Sequence, residues 1–261
     1  AYVGTAHSLD SNFKSKVMNA LFAAGTLRIY KKNPVLAKTS AAKEELRQLG
    51  IPHAVIAPVG LDTAVLKKNI PAVEKMRLRK EHGFEADDVI LCNVSRLSWE
   101  KRPLELIDLF LQVKGKKKFK LIIVGNGPLE EELNEKIRKN GLEKEVKIYP
   151  NVPYEKMWEI YEMSDHYLNM NKGEIFGMAI MEAVYYKTSV AAIRALGPSV
   201  TLKDMKGHKL CENDDEMAEW ITGPYPSEKD LQESSEKMAA TFTWDRCADA
   251  FLQASSEKSS R

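Results

Sequence analysis

The sequence is poor in cysteine: three in 261 residues, at positions 92, 211 and 247, with no Cys-x-x-Cys pair. That excludes a disulfide scaffold and a cysteine-built zinc knuckle and points to a reducing, cytoplasmic setting. No run of 18 apolar residues occurs, so no segment reads as a membrane-spanning helix. The five histidines, at 7, 53, 82, 166 and 208, form no His-x-x-x-His pair, so neither a metal site nor a hydrolytic triad is expected. Charge of one sign is lacking too: 39 Lys and Arg face 37 Asp and Glu, a net +2. That balance is too even for a nucleic-acid-binding surface spread over the whole protein. The start, AYVGTAHSLD, has neither the basic head nor the apolar stretch of a signal peptide, and no initiator Met. The natural sequence is therefore expected to begin earlier. Low complexity is confined to the tail, 255–261.

What is present is a folding chain, 44% hydrophobic and 29% charged. From residue 88 onward, apolar runs alternate with amphipathic stretches. Strands are expected over 88–94, 119–125, 146–149, 167–170, 189–193 and 208–211. Helices are expected over 103–113, 128–140, 154–163, 176–186, 214–221, 228–240 and 244–254. Strands apolar on both faces, alternating with helices, imply a parallel sheet covered on each side, an α/β fold. A shorter αβ pattern precedes it: a strand at 2–6, a helix from about 12, a strand at 34–38, a helix at 41–49 and a strand at 53–57. A polar, basic linker carrying Pro71 runs over 63–72. The expected division is a remnant of an N-terminal domain at 1–65, a complete Rossmann-like domain at 66–240, and a C-terminal helix at 241–261 packing back on the N-terminal part. Two basic clusters stand out. Lys14, Lys16, Arg28, Lys31 and Lys32 are mixed with Phe13, Val17, Leu21 and Phe22, a pattern of an ordinary domain helix or of one lying on a membrane surface. Lys114, Lys116, Lys117, Lys118 and Lys120 read as a solvated turn or as an attractor of anions. Cys92, in an apolar run, reads as a small core residue.

Three segments carry chemistry. In Glu174-Ile-Phe-Gly-Met-Ala-Ile-Met-Glu182, residues 176–186 are apolar almost all round, so the helix should be buried and Glu182 needs a partner. The backbone N–H groups at Phe176, Gly177 and Met178 would open that helix without intrahelical acceptors, an anion site aided by the helix dipole. Gly177 would let a ligand approach the backbone closely. Glu182 should lie roughly 8–9 Å along the axis. One ligand reaching both acids must then be elongated, with hydroxyls at its ends and an anion between, as in a nucleotide-sugar. The other reading makes Glu174 a surface loop acid and gives Glu182 a nearby Lys. In Ser95-Arg96-Leu-Ser-Trp-Glu-Lys101, which follows an apolar strand, Arg96 offers a planar fork and Lys101 a point charge for a diphosphate, or both are solvated loop charges. Gly125-Asn-Gly127-Pro128 lacks the Lys of a P-loop and the third Gly of a dinucleotide fingerprint, and three glutamates follow it. It reads as a strand-to-helix turn, with Pro128 at the first helical position.

Together, in this order, these segments resemble the retaining glycosyltransferases of family four, whose GT-B architecture faces two Rossmann-like domains. Glu174 to Glu182 with Phe-Gly between, Ser-Arg96-Leu with Glu-Lys101, Leu-Ile-Ile-Val-Gly-Asn-Gly-Pro and Pro58-Val-Gly60-Leu-Asp62 are the similar landmarks. The resemblance implies transfer of a sugar from a nucleotide-diphosphate sugar, a UDP-sugar expected over a GDP-sugar, to a glycan or lipid-linked acceptor in cell-surface polysaccharide or glycoconjugate assembly. It implies no metal or other cofactor, no nucleic-acid partner, and a cytoplasmic place that allows peripheral contact with the inner face of the membrane. Arg96 and Lys101 would bind the diphosphate and stabilise its departing charge. Glu174 would contact the donor sugar, Glu182 the ribose, and the amides near 176–178 the sugar or phosphate. Asn151, Val152 and Pro153 would lie beside the base, and His7 beside the transferred sugar. Two departures are visible: Ile175 stands where the family often has Gly, and most of the acceptor-side domain, with its early Gly-rich loop, is absent from this sequence. The chain is expected to bind donor without transferring its sugar. Alternatives are a sugar-nucleotide epimerase, which should lack the Arg96/Lys101 pattern, a phosphorylase, which needs a pyridoxal-phosphate lysine not found here, and a non-catalytic nucleotide-binding domain.

Overall fold

The computed structural model describes residues 25–57, 59–63, 66 and 70–256. His7, the strand expected at 2–6 and most of the first basic helix lie outside the described residues. The chain divides into two compact units, one combining residues up to Gly60 with those from Trp244 onward, the other running from Leu61 to Thr243.

In the first unit, β1 (Leu36–Ala37) pairs in parallel with β2 (Val55–Ile56). Between them lies α1 (Ser40–Gln48), whose N-cap Thr39 accepts the Ala42 N–H at 3.0 Å. Tyr30, Val35, Ile51 and Ala54 form its small core, with Leu27 and Leu46 packed against them.

The second unit begins with α2 (Ala72–Glu81) and β3 (Val89–Val94). Then follow α3 (Pro103–Val113), β4 (Phe119–Val124), α4 (Glu130–Lys139), β5 (Val146–Tyr149), α5 (Met157–Met163) and β6 (His166–Asn169). Beyond these come α6 (Met178–Tyr185), β7 (Ser189–Ile193), α7 (Leu196–Thr201), β8 (Lys209–Cys211), α8 (Asp214–Thr222) and α9 (Glu228–Thr241). A further helix, α10 (Trp244–Ser256), belongs to the first unit and packs on β2.

All six strands of the large sheet are parallel, in the order β5-β4-β3-β6-β7-β8. The apolar runs are buried as their composition demands: every residue of β6 and β7 is buried, and Leu91, Leu121, Ile123 and Leu168 interlock with Leu106, Ile107 and Phe110 of α3. Cys92 is wholly buried there, and burial pushes its thiol up to about 12, so it behaves as a small core residue.

The sequence pattern gave no sign of α2, and the reason lies in Arg79. Its guanidinium, only 9% exposed, donates to Met163 O, Asp88 O and both oxygens of Asp165. A charge on the buried face erases the apolar periodicity by which an amphipathic helix is recognised. The lysine run before β4 is engaged locally at the amino edge of the sheet. Lys117 donates to Ile221 O and Gly223 O at the end of α8, Lys114 lies 3.5 Å from Glu145, and Lys118 pairs with Asp87.

The order of strands places a reversal between β3 and β6. Chain crossings run outward in opposite directions from that pair, so their carboxyl ends splay and leave a crevice, the place where open α/β sheets bind ligands.

Candidate functional site

The three segments that carry chemistry each leave a strand of the large sheet, β3, β4 or β6, at this carboxyl edge. β3 and β6 pair only through Leu91↔His166 and Cys92↔Tyr167. Beyond that point the buried Asn93 side chain takes over, donating to Leu168 O at 2.8 Å while its Oδ1 accepts from Ser95 Oγ at 2.9 Å. An amide thus replaces the ladder where the backbones part, and the loop carrying Arg96 starts from a fixed point.

Its other support is the Gly125-Asn-Gly127 turn. Ser95 N–H donates to Val124 O, Leu97 N–H to Asn126 O, and Leu129 N–H to Leu97 O, all at 2.9–3.0 Å. A Cβ on Gly125 would collide with Ser95 O, and one on Gly127 would stand 2.5 Å from Leu97 O. These glycines serve the close passage of two backbones, which agrees with reading the segment as a turn.

The loop then winds through a 3-10 turn, Trp99–Lys101. Lys101 reaches across the crevice to Glu174, Nζ to Oε2 at 2.8 Å, with side-chain exposures of 25% and 15%. Glu174 also accepts from Asn171 Nδ2 at 3.1 Å. Burial works to raise the Glu174 carboxyl, but the hydrogen bond and charge of Lys101, with the Asn171 and Asn169 amides, outweigh it and hold the group below the ordinary carboxylate range. Glu174 is therefore a fixed, ionised acceptor and not a free surface acid. Arg96, expected to act beside Lys101, is exposed and makes no side-chain hydrogen bond or ion pair with any described residue.

Helix α6 starts one or two residues later than the sequence suggests. Gly177 caps it at φ 85, a left-handed conformation that glycine adopts without strain, and so stays out of the helix. A Cβ there would lie 2.8 Å from Ile180 Cδ1, so the left-handed turn by itself already calls for glycine. Glu182 consequently lies four residues past the first, roughly 6 Å along the axis. The amides of Phe176, Gly177 and Met178 have no acceptor among the described residues. Gly197 packs against this backbone: its N–H donates to Glu174 O at 2.8 Å, and a Cβ on it would stand 2.5 Å from Phe176 N. The Phe176 ring is buried edge-on against Phe242, centroids 5.9 Å apart. Phe242 O in turn accepts from Leu61 N–H at 3.0 Å.

Glu182 is buried, and its partner is not a lysine. Tyr161 donates to its Oε2 at 2.7 Å, and the nearby Tyr154 phenol also favours its charged form. Burial raises the carboxyl's pKa, and the two phenols offset this only in part. Tyr154 directly follows Pro153, so the turn after β5 brings a phenol near Glu182. In that turn Asn151 is exposed and is held by Asn126, whose Nδ2 donates to its Oδ1 at 2.9 Å. Val152 is half-buried and Pro153 exposed. Sequence reasoning named the acids and missed both tyrosines; the need of a buried carboxylate for donors was the signal that could have found them. Arg102 was also passed over. It bridges to Met170 O and Asp214, and although burial lowers its pKa, Asp214 and Glu105 raise it further still.

The crevice thus presents a shared cation, an ionised acid, unpaired amides at a helix start and a second acid with elevated proton affinity. Such a site can hold an anion between two hydroxyl-bearing groups and stabilise charge that develops on it. Among the described residues no cluster of His, Cys, Asp and Glu could hold a metal ion, and no helix is long and apolar enough to cross a membrane.

Comparison with known proteins follows the same outline. The chain is 26% identical over 285 aligned positions to a D-inositol 3-phosphate glycosyltransferase of Mycobacterium avium (strain 104), covering 96% of this chain and 62% of that protein. It is 34% identical over 112 residues to the amylovoran biosynthesis glycosyltransferase AmsD of Erwinia amylovora, covering 42% of this chain and 31% of that protein. The chain therefore spans about three fifths of the first relative's length. Among solved structures, Anabaena Alr3699/HepE in complex with UDP-glucose superimposes with a TM-score of 0.73 at 20% identity, over 93% of this chain and 70% of that one. A glycosyltransferase from Rickettsia africae ESF-5 gives 0.71 at 17% identity, over 86% of this chain and 63% of that one. These likenesses bear out an α/β fold with a parallel sheet of the GT-B kind. Residues 74–238, which carry the whole crevice, match the family described as Glycosyl transferases group 1, and the chain belongs to that family.

Proposed function

We propose that this chain is the donor-binding portion of a retaining glycosyltransferase that takes a sugar from a nucleotide-diphosphate sugar, a UDP-sugar first. The observation that carries the reading is the Lys101–Glu174 pair, 2.8 Å across the crevice, set beside the amides of 176–178, which have no acceptor among the described residues. The diphosphate would share Lys101 with Glu174, lie on those amides and draw in Arg96, which makes no side-chain hydrogen bond or ion pair among the described residues. Glu174 would accept from donor-sugar hydroxyls, and Glu182 from the ribose. The base would rest on the Asn151–Pro153 turn. As the glycosidic bond breaks, negative charge grows on the diphosphate and the cations stabilise it more than they stabilise the ground state. The anomeric configuration would be kept by attack from the leaving-group face. His7, which lies outside the described residues, would act near the transferred sugar, as the family resemblance implies. The acceptor would be a glycan or a lipid-linked group, in line with the name of one relative, the alpha-monoglucosyldiacylglycerol synthase of Streptococcus pneumoniae, whereas the D-inositol 3-phosphate glycosyltransferase is named for a small phosphorylated polyol. A cytoplasmic place touching the inner membrane face belongs to the same proposal.

The test is calorimetric titration with UDP, UDP-glucose, GDP, ADP and NAD, the last as a control for dehydrogenase-like binding. UDP should bind tightest and NAD not at all. Arg96→Ala and Glu182→Ala should each weaken UDP about tenfold or more, and unchanged affinity in both would remove the site assignment. Since the chain spans about three fifths of the first relative's length, sugar transfer is expected only from a longer protein; turnover by this chain alone would contradict that part.

A further inference from the structure

Arg102 combines two features that its neighbours in the loop do not share. Its backbone is left-handed, φ 56 and ψ 48, a conformation L side chains rarely adopt. Its guanidinium, 15% exposed, spends four hydrogen bonds on three partners. NH2 donates to Asp214 Oδ2 at 2.8 Å, NH1 to Asp214 Oδ1 at 3.2 Å and to Met170 O at 3.3 Å, and Nε to Glu105 Oε1 at 3.3 Å. Backbone strain at a crevice is held only where surrounding bonds over-determine it.

The geometry of consecutive residues explains what those bonds achieve. Lys101 grips Glu174, and Arg102 grips the carbonyl of Met170, so two successive residues fasten the two ends of one five-residue segment leaving β6. Lys101 alone is a point charge on a flexible stem and would fix neither angle nor spacing. The planar fork on Asp214, at the first turn of α8, adds a rigid third anchor. The left-handed residue separates the 3-10 turn Trp99–Lys101 from α3, and Pro103 itself disfavours a right-handed helical residue before it.

We propose that Arg102 is a positioning residue for the anion site, setting the reach of Lys101 across the crevice by tying its loop to the Met170–Glu174 segment and to Asp214. This rests on the donor-binding reading given above. It makes Arg102 answerable for the diphosphate and not for the nucleoside, whose expected contacts, Glu182 and the 151–153 turn, lie on other elements.

The test compares UDP with uridine, the latter at millimolar concentration, by calorimetry on the parent chain, Arg102→Gly, Arg102→Lys, Asp214→Asn and the Arg102→Gly/Asp214→Asn pair, each with a melting curve. Glycine suits φ 56, so Arg102→Gly should fold with a melting temperature close to the parent's. UDP affinity should fall about tenfold in Arg102→Gly while uridine affinity stays unchanged. Arg102→Lys should not restore it, because an ammonium cannot make the forked contact. Asp214→Asn should weaken UDP several-fold, and the double variant should be no worse than Arg102→Gly alone, since both changes cut one tie. UDP binding by Arg102→Gly within twofold of the parent, or an equal loss of UDP and uridine, overturns the assignment. A parent chain that binds UDP no better than uridine would instead overturn the donor-binding reading beneath it.

Discussion

Lys101→Met deletes one charge and keeps most of the stem, so it isolates the pair at the centre of the crevice. At 2.8 Å and an effective dielectric of about 20, the gross attraction is about 6 kcal/mol. Desolvation of both groups cancels much of this, and removing one partner of a fully buried pair costs about 3–5 kcal/mol. With a fifth or so of each side chain exposed, about 2 kcal/mol at neutral pH is the expected loss. For a unit of this size that is a melting-temperature drop of about 4–8 °C. The pH dependence is the sharper assay. In the parent, Glu174 has a folded pKa below its unfolded value, so its contribution is present above about pH 4.3 and is lost as pH falls through the folded value. Without Lys101, burial becomes the dominant influence and the folded pKa rises above the unfolded one. The contribution is then present in acid and lost as pH climbs through the raised value. Urea denaturation of both proteins at intervals from pH 4 to 7 should therefore show the stability gap widening with pH. A gap that stays constant, or a variant as stable as the parent at pH 7, would mean that the pair does not hold Glu174 ionised.

Three further outcomes follow from the same packing. Gly125→Ala, whose Cβ would strike Ser95 O, should cost about 3 kcal/mol or more in urea denaturation, since backbone cannot step aside as a side chain can; a loss under 1 kcal/mol would show the two turns to be loosely joined. Arg79→Leu leaves Asp165 with only Lys75 at 3.9 Å and the Ile90 N–H and should destabilise the second unit by about 2–3 kcal/mol, read as a lowered urea midpoint, with near-neutral stability the contrary result. His166 and His208 are both lowered to about 4 by burial. Each unfolded imidazole takes its proton near pH 6.5, so the stability each contributes by staying neutral is complete above that pH and lost progressively down to about pH 4. His208→Gln, which removes the titrating ring, should flatten the acid limb of the stability curve between those values, and an unchanged limb would refute the assignment.

The sheet was legible because parallel strands covered on both faces must be apolar along their whole length, and runs such as Val89–Val94 and Ser189–Ile193 have few other ways to exist in water. The short helix Leu196–Thr201 and α2 were not legible, the first for want of length and the second because its buried face carries Arg79. In the site, Glu174 and Glu182 were readable as acids in an apolar helical context. Their partners were not: Lys101 lies 73 positions from Glu174 and Tyr161 lies 21 from Glu182, and no periodicity links residues that meet only through strand order.

Composition and patterning by themselves determined the class of fold, the edge of the sheet at which loops gather, and which residue types stand there, since burial and local hydrogen bonding act within a few residues of chain. Tertiary structure alone decided that Lys101 is spent on Glu174 while Arg96 makes no ion pair among the described residues, that Glu182 answers to a tyrosine, and that Arg102 rather than a glycine takes the left-handed turn before Pro103. Charges and hydrogen bonds fall off within a few ångströms, so their partners are chosen by which strands adjoin, and that choice belongs to the whole sheet.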